Sequence, residues 1–261
     1  MKIIAECCAN HNGDKKIIKK MIKTAADAGA DVVKFQSFKA DKLVDKTNYD
    51  YYKARELSYK DHENIMGWCA QSHVGFLTTV FDLDIVYELG KLGIKRVKIG
   101  SADCNSWKLI DRCLSMFEHV YISTGMHSTE ERLELVKRLN KWNAKHVTLM
   151  HCVSLYPCPL DKLNLINLGF LHSLWPSIGL SDHSQGTAAA KFVVASGIDC
   201  LEKHFTIDPT MEGKDQKFAM TPFELKEICD WRDTVRTMMC GEDQYPDFQS
   251  RKYIGKWGNN K

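Results

Sequence analysis

The chain has 261 residues, 44% hydrophobic and 26% charged, with a formal net charge of +3 spread along its length. That balance gives ample material for a folded core and excludes the disordered and fibrous classes, and the lack of a basic block argues against a nucleic-acid or membrane-surface partner. No apolar run reaches the roughly 20 residues that span a bilayer, and the first strand begins too early for a signal peptide to precede it, so the expected compartment is the cytoplasm.

Short β-branched runs alternate with longer amphipathic stretches from one end to the other, the pattern of parallel strands joined by helices. The first strand is predicted over residues 3–8 and is followed by a helix over 15–28, in which Ile18, Met21, Ile22 and Ala25 share one face, Asp14 is placed to cap and Gly29 to terminate. The second strand, 31–37, leads into a long excursion over 39–58 that carries Tyr49, Tyr51 and Tyr52 and is a candidate lid. Further strands are predicted over 75–81, 96–101, 119–124, 146–152, 177–182 and 200–205, and Ser128 with Glu131 opens the fifth helix as a capping box. Residues 241–261 lack periodicity and read as a tail.

Eight βα units in about 250 residues predict an α/β protein of the (β/α)8 TIM-barrel class, with one catalytic barrel over residues 1–240. An open doubly wound sheet would carry a glycine-rich turn after its first strand, and Asn10-His11-Asn12-Gly13 is not that turn. The ten cysteines show no paired CxxC spacing and several lie in apolar runs, so they are expected to be reduced and mostly buried.

Barrel enzymes place their chemistry at the C-terminal ends of the strands. Every predicted strand here ends in polar residues: Glu6, Lys34 and Gln36, Thr79, Lys98 and Ser101, Ser123, Ser154, Ser181 with His183, and Glu202 with His204. Lys34 and Lys98 interrupt otherwise apolar strands, and two inward ammonium groups repel unless an anionic ligand or carboxylates sit between them. With hydroxyls nearby, a ligand bearing phosphate and carboxylate groups accounts for both. His183 and His204 end adjacent strands and can converge on one divalent ion, for which Mn²⁺, Fe²⁺, Co²⁺ or Zn²⁺ suits the donors. Lys203 has the opposite strand parity to Glu202 and His204 and is expected to point away from the lumen.

These residues lie in segments that resemble the sialic acid (N-acetylneuraminate) synthase family, in order along nearly the whole chain: Ile4-Ala5-Glu6, Asn10-His11-Asn12-Gly13, Val33-Lys34-Phe35-Gln36, Lys98-Ile99-Gly100-Ser101, Ser123-Thr124-Gly125-Met126, His151-Cys152 with Tyr156-Pro157, Leu180-Ser181-Asp182-His183, Glu202-Lys203-His204-Phe205 and Met211-Glu212-Gly213-Lys214-Asp215. The resemblance implies a metal-dependent transferase of carbohydrate biosynthesis that condenses phosphoenolpyruvate with an aldose such as N-acetylmannosamine and releases phosphate. It implies that Lys34, Gln36, Thr79, Lys98, Ser101, Ser123, Ser154 and Ser181 hold phosphoenolpyruvate, that His183 and His204 hold Mn²⁺ (or Mg²⁺, Co²⁺ or Fe²⁺), and that Asp103, Tyr156 and Asp215 face the sugar. Glu6, with the two histidines, is implied to be catalytic, and the protein is implied to be a homo-oligomer.

Three departures stand out. Ala102-Asp103 replaces the family's usual Gly-Glu, Cys7-Cys8 stands where Ile-Gly is common, and the sequence does not run on into the family's small antifreeze-like domain, which completes the sugar pocket of a partner subunit. Two other readings of the same residues are a lysine Schiff-base aldolase using Lys34, Lys98 or Lys203, and a non-catalytic anion-binding barrel.

Overall fold

The computed structural model describes residues 1–44 and 46–240; the tail expected over 241–261 lies outside the described residues. In chain order the elements are β1 (Lys2–Cys8), α1 (Lys15–Asp27), β2 (Val32–Ser37), α2 (Ala40–Leu43), α3 (Tyr49–Lys53), α4 (Tyr59–Gln71), β3 (Gly75–Val80), α5 (Leu83–Lys91), β4 (Arg96–Ile99), α6 (Trp107–Met116), β5 (His119–Ser123), α7 (Thr129–Lys141), β6 (Val147–Cys152), α8 (Asn167–Leu174), β7 (Ile178–Asp182), α9 (Ala188–Val194), β8 (Cys200–His204) and α10 (Pro222–Met239). The strands form one closed parallel barrel in sequence order, with β8 pairing back onto β1. The (β/α)8 expectation therefore holds, strand by strand.

Local chemistry explains the helix limits. The Asp14 side chain accepts from the Lys16 backbone N–H, Ile18, Met21, Ile22 and Ala25 are buried on one face of α1, and the chain leaves that helix at Gly29, whose φ of +93° suits glycine. Ser128 and Glu131 form the expected capping box at α7, and Thr221 with Glu224 does the same at α10, where Pro222 opens the helix.

Strand alternation divides the core into two parts. Ile3, Cys7, Val33, Phe35, Val97 and Leu201 point outward and pack with helix residues such as Ile22, Ile65, Leu89 and Ile110 in the layer between sheet and helices. Ile4, Val32, Leu77, Tyr121, Met150 and Cys200 form a separate apolar cluster that plugs the lower lumen. Two residues further along the same strands, the inward positions become Glu6, Lys34, Thr79, Ser123, Cys152 and Glu202, so the period of two that builds the plug also delivers a polar layer above it.

The strand predicted over 96–101 ends at Ile99, because the chain turns at Gly100 into a short 3-10 turn over Ser101–Asp103 that carries both polar residues to the mouth. The excursion after β2 contains α2 and α3. Its Tyr51 hydroxyl accepts from the Lys214 backbone N–H at 3.2 Å, and the Lys214 ammonium lies 4.7 and 4.8 Å from the Tyr51 and Tyr52 ring centres. The excursion thus braces the loop after β8 that bears Asp215.

Candidate active site at the barrel mouth

A cavity of about 310 Å³ opens at the C-terminal ends of the strands. It is lined by every residue to which the family resemblance gave a role except Asp215: Glu6, Lys34, Gln36, Thr79, Lys98, Ser101, Asp103, Ser123, Ser154, Tyr156, Ser181, His183 and His204. Asp215 lies alongside, where its Oδ2 accepts from the Cys8 thiol at 2.7 Å.

At the floor sit two lysines and two carboxylates, all nearly inaccessible to solvent: Lys34 is 3% exposed, Lys98 4%, Glu6 1% and Glu202 3%. Glu202 lies between the ammonium groups, 3.6 Å from Lys34 and in direct contact with Lys98, while Ser181 donates to it at 3.0 Å. Lys34 also donates to Thr79 at 2.7 Å and pairs with Glu6, and Lys98 donates to Ser181 at 3.3 Å. Burial lowers the Lys34 ammonium to about 7, with Glu202 opposing and Lys98 adding to the shift. Burial alone would raise the Glu202 carboxyl; Lys34 and Lys98 outweigh it and hold the group below the usual carboxylate range. The repulsion expected between the two lysines is thus met by Glu202, a residue not assigned a role from sequence although it shares the parity of His204.

Hydroxyls rim this floor on the β4 to β6 side. Ser101 accepts from the Gly125 backbone N–H at 3.1 Å, and Ser123 Oγ is buried without a hydrogen-bond partner among the described residues. A Cβ on Gly125 would sit 2.8 Å from both Ser101 Oγ and Ser154 Oγ, so glycine there is what lets the two hydroxyls close on each other. Two lysines, unfilled hydroxyl valence and a backbone that can approach closely together make a cradle for an anion with several oxygens. Cys152, which the sequence flagged only as part of a motif, also lines the cavity. Burial pushes its thiol up, but a contact with His183 at 3.9 Å and the nearby Lys98 bring it down to about 7.

On the opposite side His183 and His204 have ring centroids 5.4 Å apart, and the Tyr156 ring packs 4.1 Å from His183. His183 Nδ1 lies 2.8 Å from the Val153 carbonyl, which can only accept, so this nitrogen donates and Nε2 is the one left to face an ion. His204 is driven well below the ordinary histidine range by burial, then by His183 and Lys34, and its Nδ1 is buried without a hydrogen-bond partner among the described residues. The buried His204 ring is thus held neutral, the form that binds metal. Lys203 turns outward as its parity requires: it pairs with Asp182 at 2.8 Å and donates to the Ser184 carbonyl, away from the cavity.

A closed barrel with an anion cradle beside paired imidazoles defines a barrel enzyme for an anionic small molecule. Comparison with known proteins narrows that class. The NeuB family model matches residues 21–244, and the chain belongs to this family. It is 36% identical over 246 residues to the N,N'-diacetyllegionaminic acid synthase of Campylobacter jejuni, covering 87% of this chain and 74% of that protein. The crystal structure of the N-acetylneuraminic acid synthetase of Leptospira borgpetersenii, in complex with citrate, matches with a TM-score of 0.88 at 29% identity, covering 97% of this chain and 89% of that one. A truncated 3-deoxy-D-arabino-heptulosonate 7-phosphate synthase from Thermotoga maritima, 14% identical with a TM-score of 0.73, shares the fold. No helix among the described residues is long and apolar enough to cross a membrane.

Proposed function

We propose that this protein is a phosphoenolpyruvate-dependent condensing synthase of the sialic and nonulosonic acid type, a transferase of the 2.5.1 class acting in the cytoplasm as a homo-oligomer. The observation that carries this reading is the pair of buried lysines, Lys34 and Lys98, set in a hydroxyl-lined cavity at the mouth of a NeuB-family barrel. The catalytic unit is the barrel of residues 1–240, which contains every residue assigned a role.

In this reading Lys34, Lys98 and the hydroxyls of Thr79, Ser101, Ser123, Ser154 and Ser181, with Gln36, hold the phosphate and carboxylate of phosphoenolpyruvate, while Asp103, Tyr156 and Asp215 face an open-chain aldose of the N-acetylmannosamine kind. The enol carbon of phosphoenolpyruvate attacks the aldehyde carbon, forming the C–C bond; the carbonyl π pair moves onto the aldehyde oxygen, which takes a proton to become the hydroxyl, and a cation is left at the phosphate-bearing carbon. Water then adds to the phosphate-bearing carbon and gives its proton to Glu6, whose carboxylate lies against Lys34 at the floor. The tetrahedral adduct expels phosphate by C–O cleavage, and Lys34 and Lys98 stabilise the departing charge.

A divalent ion held by His183 and His204, Mn²⁺ foremost with Mg²⁺, Co²⁺ or Fe²⁺ as substitutes, would supply Lewis-acid polarisation of the aldehyde oxygen. The Nδ1 of His204, without a partner among the described residues, and the carbonyl that takes the His183 Nδ1–H and so orients that ring both support such an ion. A Schiff-base aldolase is disfavoured, because Lys203 is spent on an ion pair outside the lumen and Lys34 and Lys98 are each paired with carboxylates inside it.

Phosphate release from phosphoenolpyruvate with a panel of aldoses and Mn²⁺ tests the reading, with phosphate and a product heavier than the aldose expected for at least one sugar. Binding of phosphoenolpyruvate with no release for any aldose and any divalent ion would leave a non-catalytic anion-binding barrel instead. A borohydride-trapped, chelator-insensitive adduct would establish the aldolase.

A further inference from the structure

The metal reading assigned only two imidazoles, yet the side chains beside His204 form a fuller donor set. A sulfur of Cys8, a ring nitrogen of His204 and a carboxylate oxygen of Asp215 all lie within 4.8 Å of one another. They come from three separate places in the fold: the end of β1, the end of β8 and the loop that follows it. Convergence of three ligand types from three elements is costly to build around nothing.

Two features show that the Cys8 side chain is aimed there. The β1–β2 register slips between Glu6 and Cys8, so Cys7 is an extra residue in the ladder, and bulges of this kind re-aim side chains next to active sites. Cys8 itself has a φ of +41°, left-handed backbone in which a side chain is strained and glycine would be free. The resulting position is fully buried, with Sγ 2.7 Å from Asp215 Oδ2. A thiol proton now lies between sulfur and carboxylate, and a cation replacing that proton would bind both.

The other two donors are held independently of any ion. Asp215 precedes Gln216, which donates to the Asn10 carbonyl at 2.9 Å and accepts from Thr206 at 2.5 Å, and follows Lys214, which is tied to Tyr51 and Asn48. His204 is 8% exposed, and its Nδ1 is a buried nitrogen without a hydrogen-bond partner among the described residues. A buried, unfilled nitrogen on the same ring that meets the thiol–carboxylate pair is the second, independent sign of an ion position.

We infer that Cys8 is a thiolate ligand which, with Asp215 and His204, gives the ion site a mixed S/N/O donor set and moves its preference from the Mn²⁺ expected of the two imidazoles alone toward thiophilic divalent ions, an inference that rests on the proposal that the mouth holds a metal. Thiolate with imidazole favours Zn²⁺, Co²⁺ and Fe²⁺, whereas Mg²⁺ and Mn²⁺ prefer all-oxygen or oxygen-rich shells. Binding releases the Cys8 proton to solvent, and no other bond changes. Asp215 acts on the ion in this account, and its reach toward the sugar is through that ion.

Full-length protein stripped of metal and titrated with Co²⁺ alone, without substrates, supplies a readout separate from activity. Wild type should develop a near-ultraviolet thiolate-to-cobalt charge-transfer band. Cys8→Ser should lose the band and weaken Co²⁺ binding at least about tenfold; Cys8→Gly, which also relieves the positive φ and so should fold at least as well as wild type, should do the same. Asp215→Asn should weaken Co²⁺ while keeping the band, and Cys152→Ser should keep it too, which assigns the sulfur. Co²⁺ binding to wild type without the band, or with a band that survives Cys8→Gly, would overturn the role of Cys8 and leave the synthase reading intact. Absence of any Co²⁺ binding, together with chelator-insensitive phosphate release, would instead overturn the metal reading itself.

Discussion

Replacing Glu202 by Gln removes the charge that lies between Lys34 and Lys98 and keeps the size of the side chain. At an effective dielectric near 20, unit charges about 4 Å apart interact by about 4 kcal/mol, and breaking a buried ion pair by removing one partner typically costs about 3–5 kcal/mol. For a barrel of this size each kcal/mol moves the melting temperature by about 2–4 °C, so a loss of about 6 to 20 °C is expected. The loss depends on pH with a definite sign. Lys34, already lowered to about 7, falls further once Glu202 no longer supports its charge, whereas in the unfolded chain it returns to the ordinary lysine value. The variant is therefore penalised most, relative to wild type, well below pH 7, where both forms hold Lys34 charged, and the difference closes as pH rises through about 7 and the amine is neutral in both. Thermal unfolding at pH 6 and pH 8, with and without phosphoenolpyruvate, reads all of this. The ligand should stabilise Glu202→Gln more than wild type, because its own negative charge takes the place of the carboxylate. A melting temperature within about 2 °C of wild type at pH 6 would refute the role given to Glu202.

Two further outcomes follow from the same cavity. Gly125→Ala places a methyl 2.8 Å from the hydroxyls of Ser101 and Ser154 and should raise the KM for phosphoenolpyruvate roughly tenfold, the worth of one displaced hydrogen bond of about 1.5 kcal/mol, with the fold retained by circular dichroism; an unchanged KM would remove those serines from the cradle. Phosphoenolpyruvate affinity, measured calorimetrically, should fall about tenfold per pH unit above pH 7 as Lys34 deprotonates in the free protein, and Lys34→Arg, whose charge persists, should flatten that dependence.

The barrel was legible because its rules are local: an inward residue every second position, a cap before each helix, and polar residues where strands end. Lys34 and Lys98 stood out because nothing but an inward strand position explains a lysine in Val-Val-Lys-Phe or Arg-Val-Lys-Ile. Glu202 did not: parity placed it inward with His204, but its role between the two lysines depends on the register that sets it beside Ser181 and on contacts with Lys34 and Lys98 from strands across the lumen. The Cys8 contact was less accessible still. It depends on a bulge at Cys7 that no periodicity announces, and on a partner 207 residues away in a loop whose position is set by Tyr51 and Gln216.

The central claim is C–C bond formation from phosphoenolpyruvate with C–O cleavage, and the bridging oxygen of that substrate tests it most directly. With ¹⁸O placed in the C–O–P bridge and an accepting aldose present, mass spectrometry should find the label in the released phosphate and none in the sugar acid. Label retained in the organic product would mean P–O cleavage, and would contradict the account.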